Sequence, residues 1–216
     1  MGDPSRAAIL SALLGGVARP AGELARCAGV SPQTASAHLA KLTDGGLVTA
    51  RTEGRHRYFT LAGPAVAHAL EALALVAPPV AEPGGQGGFE LRRLRRARTC
   101  YDHLAGALGV AVTDGLVERG LIESHGEAFE VTGAGKDWMQ RRGVDPDRIR
   151  SGRRAFARAC LDWSERRPHL AGALGAALTT RFFDAGWLSR VPGTRAVVPT
   201  PAGRRALRRE LGIITD

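Results

Sequence analysis

No stretch of this chain holds the roughly 20 consecutive apolar residues that a membrane-spanning helix needs. Met1 to Ser5 is polar and the apolar segment after it is short, which is unlike a secretory signal. Cysteine is scarce: Cys27, Cys100 and Cys160 form no CxC or CxxC pair, so no disulfide framework is encoded. No His/Asp-rich tail is present. The catalytic signatures GxSxG, HExxH and GxxxxGK[ST] are missing, and the glycines of AGALG and PGGQGG lack the strand-to-helix setting of a phosphate loop. These absences argue against a secreted disulfide scaffold, a membrane protein and an enzyme. They lead to the expectation of a cytoplasmic chain with no membrane partner, no catalytic residues and no required cofactor.

What is present is basic. The 216 residues, enough for one large or two to three small domains, carry a formal charge of +9. That favours a polyanionic partner. Residues 1–77 hold seven Lys/Arg against five Asp/Glu, and residues 78–216 hold 23 against 16. The second part therefore either touches a polyanion as well or uses its arginines for solubility.

The segment PAGELARCAGVSPQTASAHLAKLTDGGLVTARTEGRHRYFTL, residues 20–61, is the most patterned in the chain. Ala21 to Ala28 predicts a short helix stopped by Gly29. Ser31 is a natural N-cap and Pro32 suits a first helical position, where a missing N–H costs nothing. The second helix then runs to about Asp44, with Ala35, Leu39 and Leu42 inside at spacings of four and three. Gly45-Gly46 closes it. Leu47 and Val48 open a strand, Arg51 to Arg57 form a basic tip around Gly54, and Tyr58 to Leu61 return. In this order, including HLAKLTDGGLV and the basic tip before YFTL, residues 5–77 resemble the ArsR-type winged helix-turn-helix regulators.

The resemblance implies a homodimeric transcriptional repressor that binds double-stranded operator DNA in a sequence-specific way. Residues 31–42 would be its recognition helix. Gln33, Thr34, Ser36 and His38 would face the major groove, and Lys41, Arg51, Arg55 and Arg57 the backbone, with His56 or Tyr58 adding a sugar-phosphate contact and Ser31 also among the DNA-binding residues. The alternative is a winged-helix protein-interaction module without a specific DNA site.

Arg6 to Val17 predicts a helix before this segment, and Pro64 to Ala77 another after it. In ArsR-like proteins such flanking helices build the dimer interface. Residues 78–88, PPVAEPGGQGG, read as a linker. The expected organisation is a DNA-binding and dimerisation domain over 1–77, the linker, and a C-terminal domain over 89–216 that senses an effector. A helix is expected over residues 89–107, with Arg92, Arg93, Arg95, Arg96 and Arg98 as a basic cluster that would hold phosphate or form a solvated face.

The second domain repeats itself. HLAGALGVAV at 103–112 matches HLAGALGAAL at 169–178, and FEVTGAG at 129–135 matches VVPTPAG at 197–203. Each copy reads as helix, Gly-terminated turn, strand, loop, strand ending in Thr, short helix. The fold class is mainly α with small β-hairpins (α+β): a winged helix-turn-helix followed by two winged-helix-like repeats, with an approximate twofold between them.

Three chemistries compete for the effector, which the sequence leaves unknown. Cys100 and His103, three apart, would share a helix face, and Cys160 and His169 occupy the matching region of the second copy. Together they could ligate a soft metal ion. Alternatively Cys100 and Cys160 form a redox switch, Cys100 lying near Arg96 and Arg98, whose charge favours thiolate. A third possibility is an organic ligand among Tyr101, Trp163, Phe182, Phe183 and Trp187. The bland reading of each of these residues is ordinary packing.

Overall fold

The computed structural model describes residues 2–77 and 85–215. It divides into two compact units, Met1–Leu91 with Pro192–Thr194, and Arg92–Val191 with Arg195–Asp216.

In the first unit, α1 spans Pro4–Leu13, and the Asp3 carboxylate caps it by accepting the Arg6 N–H at 3.0 Å. The helix was expected over 6–17. It ends earlier because Gly15-Gly16 follows, with Gly16 at φ 80°, which a helix cannot hold. β1, Arg19–Pro20, exists only through pairing with Tyr58 and Phe59, so no local pattern announces it. α2 spans Ala21–Ala28 and ends at Gly29 in the left-handed region. α3 spans Pro32–Asp44, with the Ser31 hydroxyl accepting the Thr34 N–H at 3.2 Å. β2 (Val48–Glu53) and β3 (His56–Leu61) form an antiparallel hairpin in a sheet of order β1-β3-β2. α4 spans Pro64–Val76. Ile9, Leu10, Leu13, Leu24, Leu39, Leu42, Val48 and Phe59 make one buried cluster, joining the apolar stripe of each helix to the inner face of the hairpin.

α5 spans Gly85–Arg96, so the expected linker is helical from Gly85 onward; residues 78–84 lie outside the described residues. The helix expected over 89–107 is corrected. It stops at Arg96, and β4 (Arg98–Cys100) and β5 (His103–Ala105) follow as an antiparallel pair turned at Tyr101 and Asp102. The first repeat continues with α6 (Gly106–Glu118), β6 (Ile122–His125), β7 (Ala128–Val131) and α7 (Gly133–Gln140). The second comprises α8 (Pro146–Arg150), β8 (Arg158–Leu161), β9 (Pro168–Ala171), α9 (Gly172–Asp184), β10 (Leu188–Arg190), β11 (Val197–Pro199) and α10 (Pro201–Leu211). β6-β7-β8-β9 form one sheet; β4-β5 and β10-β11 form two-stranded ones. The HLAG segments therefore end strands and start helices, rather than lying within helices. Gly106 and Gly172 make the turn at φ 76° and 82°.

The two repeats hold each other by exchange. The Leu104 N–H donates to the Thr179 hydroxyl at 2.9 Å, and the Leu170 N–H donates to the Thr113 hydroxyl at 2.8 Å. Each helix of one copy thus satisfies a buried N–H on the strand of the other, with the same offset of 66 residues. Each threonine in turn donates to the carbonyl four residues earlier, Gly109 or Gly175. The ends match too: Thr132 and Thr200 cap α7 and α10. A Cβ at Gly135 would overlap the Leu121 carbonyl oxygen, and one at Gly203 the Trp187 carbonyl oxygen. The approximate twofold expected from the repeat is present. One core serves both copies: Leu104, Leu108, Val112, Leu116, Leu121, Leu170, Leu174, Leu178 and Phe182 are buried in it, and Trp187 packs against it.

Replacing either threonine by valine leaves a buried N–H without its acceptor. Thr113→Val and Thr179→Val are each expected to destabilise the C-terminal unit by about 1–3 kcal/mol. Chemical denaturation of the full chain reads this. A large loss in one variant and none in the other would show that the exchange is not reciprocal in energy.

Candidate nucleic-acid interface and Cys-His cluster

α3 presents its inner residues, Ala35, Leu39 and Leu42, to the first core and leaves Gln33, Thr34, Ser36 and Lys41 exposed. Ser31 is exposed as well, but its hydroxyl is engaged at the cap and lies 2.9 Å from the Thr34 hydroxyl. The Ser36 hydroxyl donates to the Pro32 carbonyl at 2.9 Å. Gln33 and Lys41 are the longest polar side chains on this face. His38, expected on the groove side, is only partly exposed, with Nε2 3.8 Å from the Asp3 carboxylate.

The hairpin tip carries the expected basic residues outward. Arg51, Arg55, His56 and Arg57 are all exposed, and Gly54 at φ 59° makes the turn. Arg51 pairs with Glu53 at 2.7 Å, and Arg57 lies over the Phe59 ring. Tyr58 is half-buried, paired in register with both Arg51 and Pro20. A polar helix face and an arginine-rich hairpin tip in one small unit can read base edges and grip phosphates.

The basic cluster expected over 92–98 is split. Arg92 and Arg96 are exposed, but Arg95 lies over the Trp163 ring at 5.8 Å and Arg98 is buried. The aromatics proposed for an organic ligand are not gathered either. Tyr101 is exposed, Phe182 and Trp187 stack at 5.0 Å, and Phe183 lies under Arg190.

Cys100, His103, Cys160 and His169 do come together. One ligand atom from each lies within 4.8 Å of the others, and all four residues are buried. They do not share a helix face as the spacing suggested. Cys100 is the cross-strand partner of His103 in the β4-β5 hairpin, and Cys160 that of His169 in β8-β9. A two-residue turn closes the first pair and a six-residue loop the second. The imidazoles stack with centroids 5.1 Å apart, and their Nε2 atoms are 3.1 Å apart.

Two aspartates, each two residues after a cysteine, complete the setting. His103 Nδ1 is 3.5 Å from the Asp102 carboxylate, and His169 Nδ1 is 3.6 Å from the Asp162 carboxylate. Each aspartate pairs with an arginine of the other repeat: Asp102 with Arg154, and Asp162 with Arg98 at 3.0 Å. Burial alone would raise the Asp162 carboxyl. The Arg98 charge, the Ser164 hydroxyl and the Gly106 and Ser164 amides outweigh that and hold it at about 2, below its ordinary 3.8. Arg154 likewise lowers the Asp102 carboxyl. The aspartates were not anticipated. The signal was there, in the Cys-x-Asp common to both copies.

The first unit, with an N-capped helix after a glycine turn and a basic hairpin, is a winged helix-turn-helix. The Helix-turn-helix domain family matches residues 1–51. A protein of Bacillus subtilis (strain 168), the uncharacterized HTH-type transcriptional regulator YdfF, is 44% identical over 213 residues, 99% of this chain and 94% of its own length. The HTH-type transcriptional regulator CmtR of Mycobacterium tuberculosis (strain ATCC 25618 / H37Rv) is 40% identical over 94 residues, 40% of this chain and 79% of its own. The NMR structure of that cadmium metal-sensor covers 38% of this chain and 91% of its own, at 42% identity and a TM-score of 0.30. This chain belongs to the ArsR-type winged-helix transcriptional regulators, with an additional C-terminal domain. It is a DNA-binding regulator in a family of non-catalytic proteins. Among the described residues no helix is long and apolar enough to cross a membrane.

The two Asp–Arg pairs differ in burial, and that sets their worth. Asp162→Asn removes the carboxylate from a fully buried ion pair with Arg98 and is expected to cost about 3–5 kcal/mol. Asp102→Asn removes a partly exposed pair and is expected to cost about 1 kcal/mol or less. Urea denaturation of the two variants at neutral pH compares them; equal losses would refute the ranking.

Proposed function

We propose that this regulator is a cytoplasmic, homodimeric repressor that binds a pseudo-palindromic operator through α3 and the β2-β3 wing. The observation that carries the reading is the exposed face of α3 beside the exposed arginines of the wing. Gln33, Thr34 and Ser36 read base edges, with Ser31 and His38 at the margins of that face. Lys41, Arg51, Arg55 and Arg57 hold the phosphate backbone, and His56 and Tyr58 flank it.

Dimerisation is supported by α4. Its residues are largely apolar, yet Leu73 is 46% and Val76 81% exposed. A twofold contact through such a helix would cover its own symmetry mate and place two copies of α3 about 34–36 Å apart, one turn of B-form DNA. The domain over 89–216 then receives the effector. An effector represses or releases only by binding one arrangement of the dimer better than another.

Selection from random duplex DNA with the full chain is expected to enrich a twofold-symmetric motif. Recovery of no motif by folded protein would favour a protein-interaction module instead.

Within that motif, Gln33→Ala is expected to relax preference at particular base pairs by about 1–3 kcal/mol. Arg55→Ala should weaken operator and random duplex alike and reduce the salt dependence by about one phosphate contact. An unchanged salt slope removes Arg55 from the backbone contacts.

A further inference from the structure

The imidazole pair poses a problem of protons. Both Nδ1 atoms are buried without a hydrogen bond, and each has a carboxylate oxygen as its near polar neighbour, at 3.5 and 3.6 Å. A carboxylate favours a proton on the nitrogen that faces it. With both Nδ1 atoms protonated, both Nε2 atoms carry lone pairs, and these face each other at 3.1 Å. Two lone pairs at that distance in a buried site repel unless a cation lies between them. The alternative, one Nε2–H donating to the other ring, turns an Nδ1 lone pair toward a carboxylate. The arrangement therefore asks for positive charge on the approximate twofold axis, where the related imidazoles meet.

The flanking thiols say which cation. We propose that Cys100, His103, Cys160 and His169 form a closed tetrahedral site for a zinc-group divalent cation, one ion per chain, bridging the two repeats.

The dimensions suit it. With Zn–N near 2.0 Å and Zn–S near 2.3 Å, tetrahedral geometry puts the two nitrogens about 3.3 Å apart and the two sulfurs about 3.8 Å apart. The two Nε2 atoms stand at 3.1 Å already, and one ligand atom from each of the four residues lies within 4.8 Å of the others, so closure takes movement on the order of 1 Å. The hairpins supply that rigidity, since each cysteine lies directly across from its histidine. The charges balance as well. Two thiols lose their protons to solvent, two thiolates and two neutral imidazoles bind one dication, and the site is neutral, as burial requires. Asp102 and Asp162 stand behind the imidazoles near Nδ1, the placement of a carboxylate–histidine–metal arrangement. Four protein ligands leave no open position, so the ion is structural or sensory rather than catalytic. A calcium or magnesium ion is excluded by the sulfur and nitrogen donors.

The inference does not depend on operator binding, and its test uses no DNA. The full chain, purified and reduced, is titrated with Co2+ alone and then with Zn2+. The expected result is one Co2+ per chain with intense thiolate-to-cobalt charge-transfer absorption and the visible bands of a tetrahedral ion, both abolished stoichiometrically by Zn2+. Cys27→Ser should leave this unchanged. Cys100→Ser and Cys160→Ser should each lose the intense bands or retain about half. Asp102→Asn, which touches no ligand atom of the ion and only an exposed ion pair, should weaken Zn2+ binding about 10–100-fold with the spectrum kept. A folded, reduced parent chain that gives no thiolate-to-cobalt band overturns the proposal. So does a parent whose bands survive in Cys100→Ser and vanish in Cys27→Ser. Formation of a Cys100–Cys160 disulfide at the same rate with and without Zn2+ would also overturn it, in favour of a redox pair.

Discussion

The Leu104 and Leu170 N–H groups are buried and point away from their own partner strands, and each is taken by a threonine hydroxyl on the other repeat's helix. The rest of the C-terminal unit depends on that exchange. An unsatisfied buried N–H is costly, so neither β5 nor β9 is stable without the opposite helix, and the two copies fold as one body. The cysteines and histidines follow from it. His103 and His169 immediately precede the exchanged leucines, and the register of each hairpin sets a cysteine opposite. Bringing Leu104 to α9 and Leu170 to α6 brings the two imidazoles face to face.

The same reciprocity shapes the electrostatics. Each aspartate that faces a histidine is neutralised by an arginine from the other copy, so neither carboxylate is left as an isolated charge. The copies are not identical in this respect. Six residues between Asp162 and His169 bury Asp162 completely and let it also accept the Gly106 N–H at 2.7 Å, at the start of α6. Asp102, in a two-residue turn, stays partly in solvent. Duplication built a symmetric site, and the insertion in one copy made one of its carboxylates part of the core.

The winged unit works by local rules. Asp3 and Ser31 cap helices, Gly29 ends one in a left-handed turn, and Pro4 and Pro32 occupy first helical positions. Each device acts within about four residues. That is why α3, its inner and outer faces and the hairpin could be placed from sequence, and why β1 could not. Arg19–Pro20 becomes a strand only by lying beside β3, some 40 residues on. His38 sits at the edge of the exposed face of α3, where the cap of α1 sets Asp3 near it.

The sequence by itself determined whatever rests on short-range chemistry: the winged helix-turn-helix, the repeat and its buried leucines, and which cysteine and histidine go with which copy. Tertiary structure decided the remainder. Residues 97–105 follow a helix and carry no turn residue as strong as glycine or proline, so their pattern reads as more helix. They form a hairpin because Thr179 and Asp162, 56 to 75 residues away, supply the partners for Leu104, Gly106 and Arg98. The four-residue cluster likewise joins segments 60 residues apart. No spacing within either segment encodes it, because its geometry comes from cross-strand register and from packing one repeat against the other.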